Sequence, residues 1–208
     1  MLKNTENIAD FPKIVPIFPL SEVILLPKGQ IKLNIFENRY VNMTEDCLAS
    51  DRILGMIQPI KENQLYEVGC IGKIIHFIEV EQNKFFIELK GICRYKLINH
   101  SITKRKYRKA EVNYSDFNND LSAKKARINK KEFLEPMKKY FDFQKIQTDW
   151  SIINKAPIEL LVNSLAQSCP FSTIEKQALL EAEDTNSRAN LMISLFEIGA
   201  AGPVRRIN

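Results

Sequence analysis

The fold is decided by the stretch at residues 14–35, which reads IVPIFPLSEVILLPKGQIKLNI. Its apolar residues come in short runs separated by proline, glycine and polar residues, a pattern typical of β-strands. Residues 31–35 alternate between apolar and polar, which predicts a strand with one buried face and one face in water. Turn residues bracket the apolar run at residues 23–26, so this run also has the length and setting of a strand.

Strand-like runs continue outward to about residue 117. One interruption is helical, because Tyr40, Met43 and Cys47 recur at three- and four-residue spacing between residues 37 and 49. At least six short strands at roughly even spacing predict a small barrel or a pair of packed sheets. The remaining runs are residues 53–57, 68–80, 85–89, 94–98 and 107–114, with Gly91 expected to break the strand that contains it.

Beyond residue 118 the pattern becomes helical. Helices are predicted from Leu121 to about Phe141, with Pro136 bending or breaking the helix, and from Pro157 to about residue 167. Two more are predicted, one at residues 172–182 that opens with a capping box and one at residues 185–198. The sequence thus predicts an α+β protein with a flexible segment 1–13, a β domain 14–118, a helical bundle domain 119–200 and a tail 201–208.

Composition excludes several classes of protein. The chain is 45% hydrophobic and 26% charged, which is ordinary globular usage. No apolar run is long enough to span a membrane, and residues 1–7 are too polar for a signal peptide, so we expect a cytoplasmic protein with no membrane contact. The four cysteines are far apart among apolar residues, which predicts buried thiols.

The net charge of +5 is concentrated in one region. Residues 104–145 contain 13 basic and 6 acidic side chains, a local net charge of +7. The densest part is residues 104–109, KRKYRK, in which cations can hold phosphates and the tyrosine can stack on a base. The alternative is a solvated edge strand, in which alternate side chains face opposite ways.

A search for catalytic groups finds no convincing set. The only histidines, His76 and His100, lack companions at metal-ligand spacing, and the phosphate-loop, dinucleotide and nucleophile-elbow motifs are absent. Cys70 lies between two glycines, but no histidine is near it in sequence to act as a base. We therefore expect no catalytic, cofactor-binding or metal-binding residues, and no enzyme.

An ordered set of short motifs carries a resemblance. The set is IVPIFPL at residues 14–20, VILLP at 23–27, LNIFENRY at 33–40, DCLA at 46–49, GMIQP at 55–59, VGCIGKI at 68–74 and LKGICRY at 89–95. In this order and spacing, the set resembles the N-terminal substrate-binding domain of the Lon protease family. The resemblance runs over about residues 14–114 and is weaker in the helical half, at residues 161–166 and 175–182.

The resemblance implies a PUA-like β-barrel or packed sheets, followed by a helical bundle. It also implies a charged pair between Glu37 and Arg39 at a strand-to-helix corner, and a turn position at Gly91. Full-length Lon continues into a helical arm, an ATPase module and a protease domain, and residues for these are absent up to Asn208. The expectation is therefore a stand-alone Lon-domain protein that neither hydrolyses ATP nor cleaves peptides.

Two main hypotheses for function follow. The first is a non-catalytic module that binds unfolded polypeptide or a specific protein partner, linked to protein quality control or to proteolysis as an adaptor. The second is an RNA-binding PUA-like protein that uses the basic region 104–145. A small-molecule pocket is a third possibility, and we expect a monomer or weak dimer. The candidate partner contacts are Phe36, Tyr40 and Met43, for which core packing is the alternative, and Lys104, Arg105, Lys106 and Arg108.

Overall fold

The computed structural model describes residues 7–121 and 126–201. Most of the predicted tail 201–208, and residues 1–6 of the predicted flexible segment, lie outside the described residues. The strands are Ile14–Pro19 (β1), Gln30–Ile35 (β2), Ile53–Ile57 (β3), Pro59–Lys61 (β4), Gln64–Leu65 (β5), Val68–Glu81 (β6), Lys84–Ile102 (β7) and Arg108–Asn113 (β8). The α-helices are Asn38–Leu48 (α1), Lys130–Gln144 (α2), Trp150–Lys155 (α3), Ile158–Ser168 (α4), Thr173–Glu181 (α5) and Thr185–Ala201 (α6).

Five strands close into a barrel. Their order is β7-β6-β3-β1-β8, and β8 pairs back with β7 to complete the circle. Closure depends on the length of β7, whose 19 residues pair with β2 in the first half and with β8 in the second half. The predicted α+β class is confirmed. Of the two predicted arrangements, a barrel or a pair of packed sheets, the structure forms a closed barrel, with β2 paired beside it on β7.

Alternate residues of the strands fill the barrel. Val15, Ile17 and Ile71 are fully buried there, and so is Tyr95, whose hydroxyl donates to the Met56 carbonyl at 3.2 Å. Phe11 also packs into this core, and its ring meets Tyr114 edge-on at a centroid distance of 5.4 Å. Of the predicted flexible segment 1–13, the described part thus contributes a side chain to the interior of the barrel.

The other face of the sheet belongs to a second core that continues into the helices. Leu54, Met56 and Leu89 on the strands share one apolar cluster with Phe133 and Phe196 on α2 and α6. Because a single cluster contains residues from both halves, the helices are packed directly on the outside of the barrel. The proposed boundary between domains 14–118 and 119–200 stays a prediction.

The apolar run at residues 23–26 is buried but is not a strand. Its backbone bonds to side chains of the helical half, since Gln167 Oε1 accepts from Leu26 N–H at 2.9 Å. Lys176 Nζ donates to the Glu22 carbonyl at 2.7 Å, and Asn163 Nδ2 donates to the Pro27 carbonyl at 3.2 Å. Helix side chains thus satisfy backbone groups that a neighbouring strand would otherwise satisfy.

Gly91 does not break its strand, contrary to the sequence-based expectation. β7 runs through it, with an irregularity in the β6–β7 register beside Gly72. Gly91 exchanges hydrogen bonds with the segment at Lys28 and Gly29, and a Cβ on Gly91 would lie 2.0 Å from the Leu26 carbonyl oxygen. Glycine is therefore needed here for close backbone approach and not for a turn.

The helical half follows the sequence closely, except at its start. The predicted capping box is present, with Ser172 accepting from Glu175 N–H and the Glu175 carboxylate accepting from Ser172 N–H. The helix expected from Leu121 begins instead at Lys130, because the side chain of Asn129 caps it by accepting from Lys131 N–H. This helix continues through Pro136 without ending there.

A buried arginine ties the barrel to the helical half. Arg94 on β7 pairs with Asp120 at 2.7 Å, and the two side chains are only 3% and 6% exposed. The same guanidinium donates to the carbonyls of Leu180 at 3.0 Å, Ala182 at 2.6 Å and Glu183 at 3.1 Å, beyond or near the end of α5. The last carbonyls of a helix have no N–H donor within the helix, and Arg94 supplies donors to them here. Arg94 thereby joins β7, the segment around Asp120 and the end of α5.

We expect Arg94→Met to lower the free energy of unfolding by about 3–5 kcal/mol, because it leaves the Asp120 carboxylate buried without a counter-charge. The matched control is Lys96→Met on the same strand. The Lys96 side chain is 53% exposed and its ion pair with Glu67 is 3.6 Å long, so a loss below about 1 kcal/mol is expected. Urea unfolding followed by circular dichroism measures both variants. Equal losses in the two would contradict the role given to Arg94.

Candidate functional site

The first candidate site is the outer part of the β6–β7 hairpin. The last residue of β6 that pairs with β3 is Lys73, and the Ile74 N–H still donates to the Arg52 carbonyl at 2.9 Å. From Ile75 to Glu81, β6 pairs with β7 on one side and with no other described strand. Residues 75–81 therefore form an open sheet edge.

This open edge is apolar and exposed. Ile75 and Phe77 are each more than 40% exposed, Ile78 is 50% exposed and Val80 is 63% exposed. The Arg52 guanidinium lies over the Phe77 ring, 5.6 Å from its centroid, and covers part of this side chain. We call these four residues and the free backbone edge of residues 75–81 the hairpin surface.

The three apolar contacts predicted around α1 separate in the structure. Phe36 is 66% exposed, at the end of β2 where its neighbour Ile35 pairs with Phe85 of the hairpin. Tyr40 and Met43 are buried in the core, and the Tyr40 ring lies 4.3 Å from that of Phe18. The spacing of the three residues does not make one exposed stripe, because Phe36 precedes the helix and the other two lie on its inward face. Tyr40 and Met43 are thus inaccessible to a partner in this structure.

The charged pair expected at the start of α1 is present. Arg39 and Glu37 form an ion pair at 2.8 Å, and the Arg39 guanidinium lies 4.5 Å from the centroid of the Tyr40 ring. Both charged side chains are about half exposed, so the pair contributes little to stability. Its effect is local, at the corner between β2 and α1.

The basic cluster does not form a continuous cationic surface. Arg105 lies in the turn between β7 and β8 and forms ion pairs with Glu45 and Asp46 of α1. The Asp46 carboxylate also accepts from the Tyr107 hydroxyl at 2.7 Å, so the tyrosine is buried and unavailable for stacking. Acidic residues of α1 therefore neutralise the centre of the cluster.

The other predicted cations differ in their surroundings. The Arg108 guanidinium donates to Asn63 Oδ1 at 3.1 Å and lies 3.3 Å from His100 Nδ1. Partial burial, and secondly the nearby Arg108, lower the pKa of His100, which disfavours a second positive charge there. Lys104 and Lys106 are exposed at the turn. Of the dense basic run at residues 104–109, the structure thus leaves Lys104, Lys106 and Lys109 exposed and without an ion pair among the described residues, while both arginines have partners.

The second candidate site is a cleft between the barrel and the helical half. It has a volume of about 560 Å³ and opens beside the N-terminal ends of α4 and α6. Sequence analysis missed it because its walls come from segments far apart in the chain, none of which carries a recognisable motif. The residues lining it are Pro27, Lys28, Arg94, Asn119, Asp120, Ala126, Arg127, Pro157, Glu159, Leu160, Asn163, Glu183, Asp184, Thr185, Asn186 and Arg188.

Neither a metal-ligand cluster nor a membrane-spanning helix is found in the part of the chain that the structure describes. Within residues 7–121 and 126–201, no three His, Cys, Asp or Glu side chains come together as they would around a metal ion. Among the helices in these residues, none is both long and apolar enough to span a membrane.

The four cysteines are buried and unpaired, as the sequence predicted. Burial disfavours the thiolate and raises the pKa of Cys47, Cys93 and Cys169 to about 12 in each case. The pKa of Cys70 is also raised well above its usual value by burial. None of these thiols has the electropositive, accessible environment of a nucleophile.

A closed barrel with a helical bundle packed on its outer face defines the class of protein, a small α+β domain with an exposed apolar strand edge. The chain belongs to the family of ATP-dependent protease La (LON) substrate-binding domains, whose model matches residues 14–197.

Comparisons with individual proteins agree with this assignment. The chain is similar to Lon protease of Dictyoglomus thermophilum, with 27% identity over 199 residues that cover 86% of this chain and 24% of the protease. It is also similar to Lon protease 2 of Myxococcus xanthus, with 22% identity over 204 residues, or 91% of this chain and 24% of that protease. The chain thus spans about a quarter of the length of these relatives.

Two solved structures share the fold. A Lon N-terminal domain protein from Xanthomonas campestris matches with a TM-score of 0.61 and 20% identity, over 87% of this chain and 97% of that chain. The N-terminal domain of a Mycobacterium avium complex Lon protease also has a TM-score of 0.61, with 17% identity over 88% of this chain and 98% of that chain.

We expect all four thiols of the native protein to resist alkylation at pH 8. A raised pKa lowers the fraction of thiolate, which for a pKa of about 12 is roughly one part in ten thousand at this pH. The measurement is iodoacetamide labelling counted by intact-mass spectrometry, with guanidinium-unfolded protein as the control, in which all four residues react. Fast labelling of any one cysteine in the native state would contradict this assignment.

Proposed function

We propose that this chain is a non-catalytic module that binds unfolded polypeptide through the hairpin surface. The single observation that carries the proposal is the open edge of β6 at residues 75–81, with exposed apolar side chains along it. A role as an adaptor in proteolysis or protein quality control is part of the same proposal. Its support is the family, which is described as a substrate-binding domain of a protease.

The edge offers the backbone half of the interaction. An unpaired strand presents a row of N–H and C=O groups at the spacing of a β-ladder, and an extended peptide can add to it as a further strand. Folded partners seldom have a free extended segment, whereas unfolded chains have many. The edge therefore favours unfolded over folded polypeptides.

Apolar side chains supply the other half. By strand periodicity, Ile75 and Phe77 lie on one face of the sheet and Ile78 and Val80 on the other. A bound strand would therefore meet apolar contacts on both faces. Exposed Phe36 lies at the end of β2, which pairs with the other side of β7, so Phe36 is not part of this edge. Side-chain contacts of this kind depend on size and hydrophobicity and have little sequence specificity, as expected for a surface that accepts many unfolded chains.

Two acidic residues interrupt and end the apolar edge. Glu79 lies within the strand and Glu81 at its tip, where the Glu81 carboxylate forms an ion pair with Lys84 at 2.6 Å. Charges at such positions oppose the self-association of edge strands. The arrangement is compatible with reversible binding of a peptide by a protein that does not itself aggregate.

The structure gives less support to RNA binding through residues 104–145. Nucleic-acid affinity depends on a surface of uncompensated cations, and Arg105 is already paired with Glu45 and Asp46. RNA binding is therefore an outcome of the test below and not a second proposal.

We expect the double variant Ile78→Lys with Val80→Lys to weaken binding of unfolded polypeptide at least about tenfold, because each lysine removes an apolar contact of roughly 1 kcal/mol or more. Both residues are half exposed or more, so the fold is retained. The measurement is fluorescence anisotropy of a labelled, reduced and carboxymethylated protein, at low and at high salt. Ile174→Lys, at a 73% exposed site on α5, is the matched control and keeps full affinity.

The same titration with a short single-stranded RNA separates the hypotheses. Polypeptide binding that changes little with salt and is lost in the double variant supports the proposal. Steeply salt-dependent RNA binding without polypeptide binding would overturn it, and so would equal affinities of the double variant and the control.

Strand addition makes a second, more specific prediction. In a β-ladder, alternate N–H groups of the added strand face the edge, so N-methylation of one alternate set abolishes pairing and methylation of the other set leaves it intact. We expect a short apolar peptide that binds to lose affinity in one methylated form only. Equal binding of the two forms, measured by the same anisotropy competition, would indicate an apolar surface that does not read the peptide backbone.

A further inference from the structure

A second buried arginine lies at the cleft, and it has no carboxylate partner. Arg188 on α6 is 3% exposed and lines the cavity. Its Nε donates to the Leu179 carbonyl at 2.8 Å and its Nη1 to Asn163 Oδ1 at 3.1 Å. Among the described residues, no Asp or Glu oxygen lies within ion-pair distance of it, and its Nη2 makes no hydrogen bond.

The charge on Arg188 is maintained without a carboxylate in direct contact. Burial and the nearby positive charge of Arg94 lower the pKa of Arg188 to about 10, and the more distant charges of Asp120 and Asp184 only partly offset this. This pKa is still far above neutral pH, so the guanidinium stays protonated. A buried cation held by two neutral acceptors is costly, and an anion in the cleft would lower that cost.

The same cleft contains a helix N-terminus with free N–H groups. α4 begins after Pro157, whose side chain cannot accept a hydrogen bond, and no side-chain cap is present. In the described structure the N–H groups of Ile158, Glu159 and Leu160 have no acceptor, because the first helical bond is from Leu161 N–H to the Pro157 carbonyl. Such N–H groups and the helix dipole favour a negative charge at this position.

Most of the acidic side chains of the cleft already have donors. Asp120 is paired with Arg94, and Asp184 caps α6 by accepting from Ser187 N–H at 2.8 Å. The Glu159 carboxylate accepts from Ala126 N–H. Glu183 remains, and it is exposed at the rim. Arg188 Nη2 and the N–H groups of the α4 N-terminus are thus donors of the cleft without an acceptor among the described residues. The exposed Arg127 guanidinium also lines the cleft and adds positive charge.

We propose that the cleft is an oxyanion-binding site, in which Arg188 and the N-terminal N–H groups of α4 hold a carboxylate or phosphate group of a ligand. A guanidinium binds such groups with strong, directional hydrogen bonds. Pro27, Pro157 and Leu160 supply apolar walls for the rest of the ligand, and the volume is in the range of small-molecule sites. This site is separate from the hairpin surface and does not depend on the proposed function.

The test is a titration of the isotopically labelled full chain with sodium phosphate and with sodium acetate, at constant ionic strength and pH 7, followed by ¹⁵N NMR. We expect saturable shifts at the amides of Ile158, Glu159 and Leu160 and at the Arg188 Nε–H. Two versions of one short peptide, with a free or an amidated C-terminus, then distinguish the sources of the anion. If the peptide with the free C-terminus binds better, the ligand group is a terminal carboxylate. If phosphate binds and neither peptide does, the ligand is a phosphate-bearing small molecule.

A variant that keeps Arg188 separates binding from folding. Arg188 also holds Leu179 and Asn163, so its replacement would disturb the helices. Leu160→Asp changes instead a half-exposed cavity residue in the first turn of α4, where a carboxylate favours the helix. The introduced carboxylate accepts hydrogen bonds from the free N–H groups of α4 and repels the anionic ligand. We therefore expect phosphate affinity to fall at least about tenfold, or about 1.4 kcal/mol.

Ile152→Asp, at an exposed position on α3, is the control and keeps wild-type affinity. Both variants keep the melting temperature of the wild type. The proposal is overturned if neither anion produces saturable shifts at these amides, if shifts occur only at exposed lysines such as Lys104 and Lys106, or if Leu160→Asp binds phosphate as tightly as Ile152→Asp.

Discussion

The architecture depends on the buried guanidinium of Arg94, which connects the barrel, the segment around Asp120 and the end of α5. A carboxylate and three backbone carbonyls surround this charge and offset the cost of burying it. Helix carbonyls that would otherwise lack donors find them in a strand side chain. This geometry orients the helical half on the barrel, while the apolar cluster shared by the two halves supplies most of the burial.

That orientation creates both candidate sites. The helices and α1 cover part of the outer face of the barrel. The hairpin extends beyond them, and no described residue pairs with its outer edge. Beside the N-terminus of α4, the helices and the barrel do not pack fully against each other, and the gap is the cleft that Arg188 lines. Different interactions are proposed for binding at the two sites. At the hairpin they are backbone pairing and apolar contacts, and in the cleft they are charge and directional hydrogen bonds.

Local patterns predicted most elements and little of either site. Alternation at residues 31–35 and the capping box at Ser172 specify their elements through neighbours a few residues away. The run at residues 23–26 was misleading, because its acceptors and donors are helix side chains more than a hundred residues distant, such as Gln167. Phe36 is exposed while Tyr40 and Met43 are buried, and helical spacing alone could not distinguish among the three.

The sequence by itself determined the α+β class, the family and the burial of the cysteines, since periodicity and motif order report which side of each element avoids water. Only the tertiary structure decided how the charges are used. It pairs Arg105 with acidic residues of α1, buries Arg94 with Asp120, and leaves Arg188 without a carboxylate. The physical reason is that Coulomb and hydrogen-bond energies depend on distances between groups remote in sequence, and those distances exist only once the barrel has closed and the helices have packed.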